Sequence, residues 1–308
     1  MNLTAAAPDR TLAALGAILV YAVIIGFTDN WVQVIAADAG LWQFHATRTA
    51  MALVLMGVAA VLLALRMRPV NGRAVLGRSL IHGTAMLVYF GSLAFLPVAI
   101  VAAGLFTAPL FVLLISRLIY GRAIRAAEAA AVALGFAGVL LVLGPGQESF
   151  GLASVLPVAA GALYAMGNIA TREWCEGESA TTLLAGFFGM LGVFGLIGMG
   201  VLAALQPVVP AGAEGFILRG AVWPTAEFWG WTFVQAAGSV IGVGMMVRAY
   251  QMADARAVSV FEYAILPASA VWAWVIWGEV LSARAVAGMA MIAAAGVLVA
   301  WAGRGRGR

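Results

Sequence analysis

The chain has 308 residues, 64% of them hydrophobic and 10% charged, against about 45–50% and about 25% in a soluble domain. A water-soluble fold of this length has too little interior to hide so much apolar side chain, which excludes an ordinary globular protein. The net charge of +4 rests on 17 arginines with no lysine, which excludes a lysine-ended phosphate loop, a Schiff-base lysine and a lysine general base.

From the amino terminus, Met1 to Arg10 lacks the basic start and short apolar run of a cleavable signal peptide, so the first apolar stretch is expected to stay in the mature protein. Ten stretches then reach the ~20 apolar residues that cross a hydrocarbon core: roughly 11–34, 43–65, 79–96, 98–119, 124–143, 152–170, 180–204, 227–250, 257–277 and 283–302. They are continuously apolar rather than alternating, so they predict helices and not a barrel. The fold class expected is an all-α integral membrane protein with ten transmembrane helices.

The arginines fall between these stretches. Arg66, Arg68, Arg73 and Arg78 separate the second and third; Arg117, Arg122 and Arg125 flank the junction of the fourth and fifth; Arg248 and Arg256 bracket the link from the eighth to the ninth. With Arg10, Arg172, Arg304, Arg306 and Arg308 they mark one face, and only Arg219 and Arg284 mark the other. The positive-inside rule makes both termini cytoplasmic, in a cell inner membrane. Scattered in short loops, this charge suits a lipid surface and not nucleic acid. Trp42, Trp174, Trp223, Trp229 and Trp301 lie near helix ends, where indole rings favour the membrane interface. The loop 205–226, with Pro207, Pro210, Gly212 and Gly215, reads as a turn on the far side.

A shift of 158 residues aligns the ends of the two halves without a gap. It brings Pro109 onto Pro267, Gly138 onto Gly296, and Ala137-Gly138-Val139-Leu140-Leu141-Val142 onto Ala295-Gly296-Val297-Leu298-Val299-Ala300. Nearer the start of each half, Tyr21-Ala22 resembles Tyr164-Ala165. Five helices per half is an odd number, so the second copy enters the membrane from the opposite side. Inverted repeats of this kind belong to secondary transporters that alternate access around a midplane site. The units expected are 1–150, with helices one to five, and 151–308, with helices six to ten and a short basic tail, arranged around a central cavity.

The runs Phe261-Glu262-Tyr263-Ala264-Ile265-Leu266-Pro267, Trp277-Gly278-Glu279 and Ala294-Ala295-Gly296-Val297, with a proline-bearing helix followed by a glycine-bearing one at the end of each half, resemble the drug/metabolite transporter superfamily of the EamA type. Arg48 looks like that family's arginine near the start of the second helix. Glu279 matches an acidic residue typical after the ninth, although its first-half counterpart is Gly121. The resemblance implies ten-helix carriers of amino acids, nucleosides and other metabolites, with export as the default direction and an amino-acid exporter of the YddG-like kind as the nearest type.

Charge inside a membrane costs ~2.5–3.5 kcal/mol on insertion scales and usually faces a bundle interior or a wet cavity. Asp29 and Arg48 sit at similar depth near the outer ends of the first two helices, and read either as a structural clamp or as an outer gate. His45, three residues from Arg48 on one face, lines the same vestibule or is solvated at the interface. On the cytoplasmic side lie His82, Glu262, Tyr164 and Asn168. Glu262 is the candidate proton carrier, since a carboxylate that gains a proton sheds its desolvation cost; otherwise it reaches the interface or pairs with Arg256. His82, Met86 and Tyr89 form one helical stripe, and Gln235 and Ser239 another, either solute-facing or bonded between helices. Gly186, Gly189, Gly192, Gly195 and Gly198 permit close packing or mark a moving helix. Pro109 and Pro267 remove mid-helix hydrogen bonds and are candidate hinges.

Together these predict a secondary transporter of a neutral or zwitterionic metabolite, amino acids first. The solute is expected between helices one, three, four, six, eight and nine, near Tyr89, Phe106, Thr107, Tyr164, Asn168, Gln235 and Tyr263. One cysteine, Cys175, and two histidines give no disulfide and no Cys- or His-based metal site. No catalytic residue, metal or cofactor is expected, and the partners are a small solute and the lipid bilayer, the protein being a monomer or weak dimer. The rival classes are a lipid-modifying membrane enzyme, which needs a His/Asp/Glu cluster at one interface, and a non-transport scaffold.

Overall fold

A computed structural model describes residues 10–92, 96, 98–144, 152–210, 215–278 and 282–304. Its helices, in chain order, are α1 (Thr11–Asp29), α2 (Val32–Asp38), α3 (Leu41–Leu62), α4 (Gly72–Ser92), α5 (Val98–Leu105), α6 (Ala108–Leu118), α7 (Ala126–Leu143), α8 (Val155–Glu173), α9 (Ala180–Leu205), α10 (Ala226–Met252), α11 (Ala255–Phe261), α12 (Ile265–Trp277) and α13 (Ala283–Arg304). No strand occurs among the described residues. Nine helical stretches among them are long and apolar enough to cross a membrane. The tenth, α4, has the length, 21 residues or about 31 Å at 1.5 Å per residue, but carries Arg73, Arg78 and His82.

Four of the expected helices depart from the sequence reading. The first stops at Asp29, where the Asn30 amide donates to the carbonyls of Gly26 (2.7 Å) and Ser269 (3.3 Å), and α2 follows as a short separate helix. The third begins at Gly72, so Arg78 lies within a helix and not in a loop. It is 1% exposed, with Nε donating to Thr171 Oγ1 (3.0 Å) and Nη1 to the Leu183 carbonyl (3.1 Å). Acceptors on α8 and α9 make that burial tolerable. The fourth and ninth stretches are each interrupted, at Phe106–Thr107 and over Glu262–Ala264, the latter a single 3-10 turn. Pro109 and Pro267 consequently sit in the first turns of α6 and α12 and not in mid-helix. There a proline's missing N–H is one the helix would leave unbonded anyway.

The helices pack in a regular set: α1 against α10 and α12, α4 against α8 and α9, α3 against α9 and α10, α8 against α5 and α6, and α7 against α13. Small residues set the closest crossings. A Cβ at Gly138 would stand 2.7 Å from the Gly288 carbonyl oxygen, and one at Gly26 2.8 Å from the Ser269 nitrogen. On α9, Gly192, Gly195 and Gly198 face Thr49, Ala46 and Trp42 of α3, and Gly186 faces Ser79 of α4, whereas Gly189 meets open space. The glycine series is thus a close-packing device.

Of the tryptophans expected at the interface, Trp174, Trp223, Trp229 and Trp301 are exposed. Trp42 is instead wedged against Gly198, with Nε1 donating to the Ile217 carbonyl (2.8 Å). Cys175, in the link after α8, is 1% exposed, and burial raises its thiol pKa while the nearby Arg78 charge opposes the rise. Glu279, Arg306 and Arg308 lie outside the described residues.

Candidate functional site

A cavity of about 810 Å³ has walls from both halves of the chain. Along α10 its lining runs from Gln235 through Ser239, Val243 and Met246 to Tyr250, a rise of about 22 Å. Opposite stand His82, Met86 and Tyr89, the stripe on α4, with Phe106 and Phe187 between. The space is therefore long, apolar in the middle and polar at both ends.

One polar end is built on α1, α3 and α10. Gln235 Oε1 accepts from Arg48 Nη1 (3.2 Å) and from Ser239 Oγ (2.7 Å), while Gln235 Nε2 donates to Asp29 Oδ1 (3.0 Å). Asp29 and Arg48 are thus joined through the Gln235 amide and make no direct ion pair with each other. Arg48 is 4% exposed, and its guanidinium carbon lies 5.1, 5.8 and 5.6 Å from the ring centres of Phe44, Phe90 and Phe188. Such faces stabilise a cation that has left water. His45 neither lines this cavity nor meets solvent: it is fully buried between Phe44 and Phe90.

The other end is built on α8, α10 and the α11–α12 break. Glu262 accepts from Tyr164 Oη (2.9 Å) and Asn168 Nδ2 (3.3 Å), and Asn168 Nδ2 also donates to Tyr250 Oη (3.0 Å). Glu262 does not pair with Arg256. His82 packs its ring edge on Tyr164 at 4.7 Å and leaves Nδ1 without a hydrogen bond. Gly167 makes room for it, since a Cβ there would lie 2.8 Å from His82 Nδ1.

Of the residues expected to hold solute, Tyr89, Phe106, Tyr164 and Gln235 line the cavity, as do Asp29, Arg48, His82, Glu262 and Pro109. Thr107, Asn168, Tyr263 and Pro267 do not. Thr107 spends its hydroxyl on the Gly104 carbonyl (2.6 Å) at the α5–α6 break, and Asn168 stands behind Glu262. Tyr263 turns away, its ring filling the space over Gly135. Sequence reasoning missed Tyr250, Met246 and Ser259 as lining residues. Tyr21 carried a signal, the repeat match to Tyr164, but was not placed at the site.

Ion pairs among the described residues gather on the face that carries Arg10. Arg122 meets Glu173 at 2.8 Å, and Arg256 meets Glu128 at 3.1 Å and Asp254 at 2.9 Å. Two of these join the first half to the second. Burial alone would raise the Asp254 carboxyl, but hydrogen bonds from the Arg256 guanidinium and backbone N–H, with its charge, hold it down at about 2. Among the described residues no group of three or more His, Cys, Asp or Glu could hold a metal ion.

Residues 12–144 match the EamA-like transporter family. The chain is 25% identical to a riboflavin transporter of Rhizobium johnstonii, over 97% of this chain and 95% of the relative. It is 26% identical to a riboflavin transporter of Brucella anthropi over 67% and 68%, and 24% identical to a pseudopaline exporter of Pseudomonas aeruginosa over 72% of each. A crystal structure of 18% identity shares the fold, with a TM-score of 0.72 over 94% of this chain and 97% of the other. In its first half the chain is thus similar to the EamA-like transporter family, and these relatives of the whole or most of its length are named as transporters.

Proposed function

We propose that the protein is a secondary transporter whose two inverted five-helix halves, 1–150 and 151–308, rock about a shared central cavity and expose it to each side in turn. The observation that carries this reading is the cavity itself, about 810 Å³ and walled by both halves, with a polar cluster at each end. That volume lies within the ~300–1,000 Å³ of small-molecule sites. The packing supports the repeat. Exchanging the n-th membrane span of one half for the n-th of the other turns the α1–α10 contact into α8–α4, α1–α12 into α8–α6, and α3–α10 into α9–α4.

The cavity reaches Gln33 and Ala37 of α2, both exposed, and the ion pairs tie the opposite face. With both termini cytoplasmic, this is an outward-open carrier in an inner membrane. Tyr89, Phe106, Tyr164 and Gln235 contact the solute, Glu262 carries a proton with His82 beside it, and Asp29 and Arg48 close the outer end. The breaks before Pro109 and Pro267 flex as the halves rock. The solute is a neutral or zwitterionic metabolite, amino acids first, and moves outward; the chain works as a monomer or weak dimer.

A second reading, riboflavin as the solute, is favoured by the relatives that carry that name and by a cavity about 22 Å long, which exceeds what one amino acid spans. The test is flux in proteoliposomes against amino acids, nucleosides and riboflavin, with and without a pH gradient. Saturable flux of one solute is expected; none for any of them would overturn the reading.

A further inference from the structure

Deepening the transport reading, and resting on it, we propose that Asp29, Gln235 and Arg48 form a subsite that reads a zwitterion, a solute bearing an ammonium and a carboxylate on one carbon. A pair of opposite charges that served only to let two helices assemble would meet directly. Here Gln235 holds them apart by one amide and two hydrogen bonds of 3.2 and 3.0 Å. The amide is fixed in that sense, because Ser239 Oγ also donates to Gln235 Oε1 at 2.7 Å and Arg48 has only donors to offer it. All four side chains line the cavity.

Each charge keeps capacity for a ligand. Arg48 is 4% exposed and its Nε has no hydrogen-bond partner, although a guanidinium presents five donors. Three phenylalanine rings hold its plane in place, so it is ordered before any solute arrives. A carboxylate accepts such a fork well, and an ammonium donates to Asp29, each through a charge-assisted bond of about 2.7–2.9 Å. The one-carbon spacing of amine and acid in an α-amino acid then bridges the gap that Gln235 maintains. The solute's side chain extends into the apolar stretch between Met86, Val243 and Phe106.

Thermal unfolding of the purified full chain with each of the twenty amino acids identifies the one that raises Tm most, and this is compared with its methyl ester and its N-acetyl derivative. The free zwitterion is expected to bind at least tenfold more tightly than either capped form. Asp29→Asn abolishes discrimination against the N-acetyl form and Arg48→Gln discrimination against the ester, each leaving the other preference intact. Capped forms that bind wild type as well as the zwitterion does, or no stabilisation by any amino acid, would overturn the inference without recourse to the variants. If riboflavin alone binds and is carried, this inference fails and transport stands; if no solute is carried at all, the transport reading fails.

Discussion

Arg256 is the most informative single perturbation on the ion-paired face. Its guanidinium, 9% exposed, donates to Glu128 at 3.1 Å, to Asp254 at 2.9 Å and to the Ala123 carbonyl at 3.0 Å. Arg256→Gln removes the cation and leaves two carboxylates, 11% and 17% exposed, facing each other. Removing one partner of a buried pair costs about 3–5 kcal/mol, and the partial exposure of these carboxylates places the loss near the lower end, about 3 kcal/mol. Glu128→Gln in the same chain removes one of the two carboxylate charges, so the double variant should recover about 1–2 kcal/mol, within the range measured for coupled neighbours. The assay is tryptophan-monitored denaturant unfolding in mild detergent for the four members of the cycle. Losses that add to within about 0.5 kcal/mol would show that the two side chains are uncoupled and refute the view that this cluster binds the halves together.

The Asp254 carboxyl is depressed to about 2 from an ordinary 3.8, so its contribution is fully present above about pH 4 and is lost as pH falls toward 2; unfolding midpoints should drop across that window, and less so in Asp254→Asn. Glu262→Gln should abolish gradient-driven flux while sparing exchange of labelled for unlabelled solute, measured in one proteoliposome preparation; undiminished gradient-driven flux would make Glu262 structural. Gly195→Val, whose Cβ would stand 2.7 Å from Ala46 N and the Trp42 carbonyl, should destabilise by about 1–3 kcal/mol as overpacking does. Gly189→Val, with open space at its Cβ, should be neutral in the same unfolding assay.

Nine of the ten spans and their order were legible because lipid leaves the backbone no alternative to intrahelical pairing, so length and apolarity suffice for them. The start of α4 was not, because Arg78 looks like a loop residue until Thr171 and the Leu183 carbonyl, about a hundred residues on, supply its acceptors. The helix breaks were visible only as prolines, and a proline marks the first turn after a break as readily as a kink. The stripe of His82, Met86 and Tyr89 follows from helical periodicity alone. The direction in which Thr107 and Tyr263 point depends on the backbone at the breaks, which the pattern does not encode. Gln235 was found as a polar mid-membrane residue, but its place between Asp29 and Arg48 is a three-helix contact with no local signature.

Transport by this chain requires solute to pass through the cavity lined by its two halves. Counterflow of labelled solute into preloaded proteoliposomes, comparing wild type with Ser239→Trp, tests it most directly, because Ser239 is 3% exposed on the cavity wall and an indole there occludes the path. Wild type should accumulate label transiently, and the plugged variant, shown to be folded by a cooperative unfolding transition, no more than protein-free vesicles. Equal counterflow through both proteins would contradict the account.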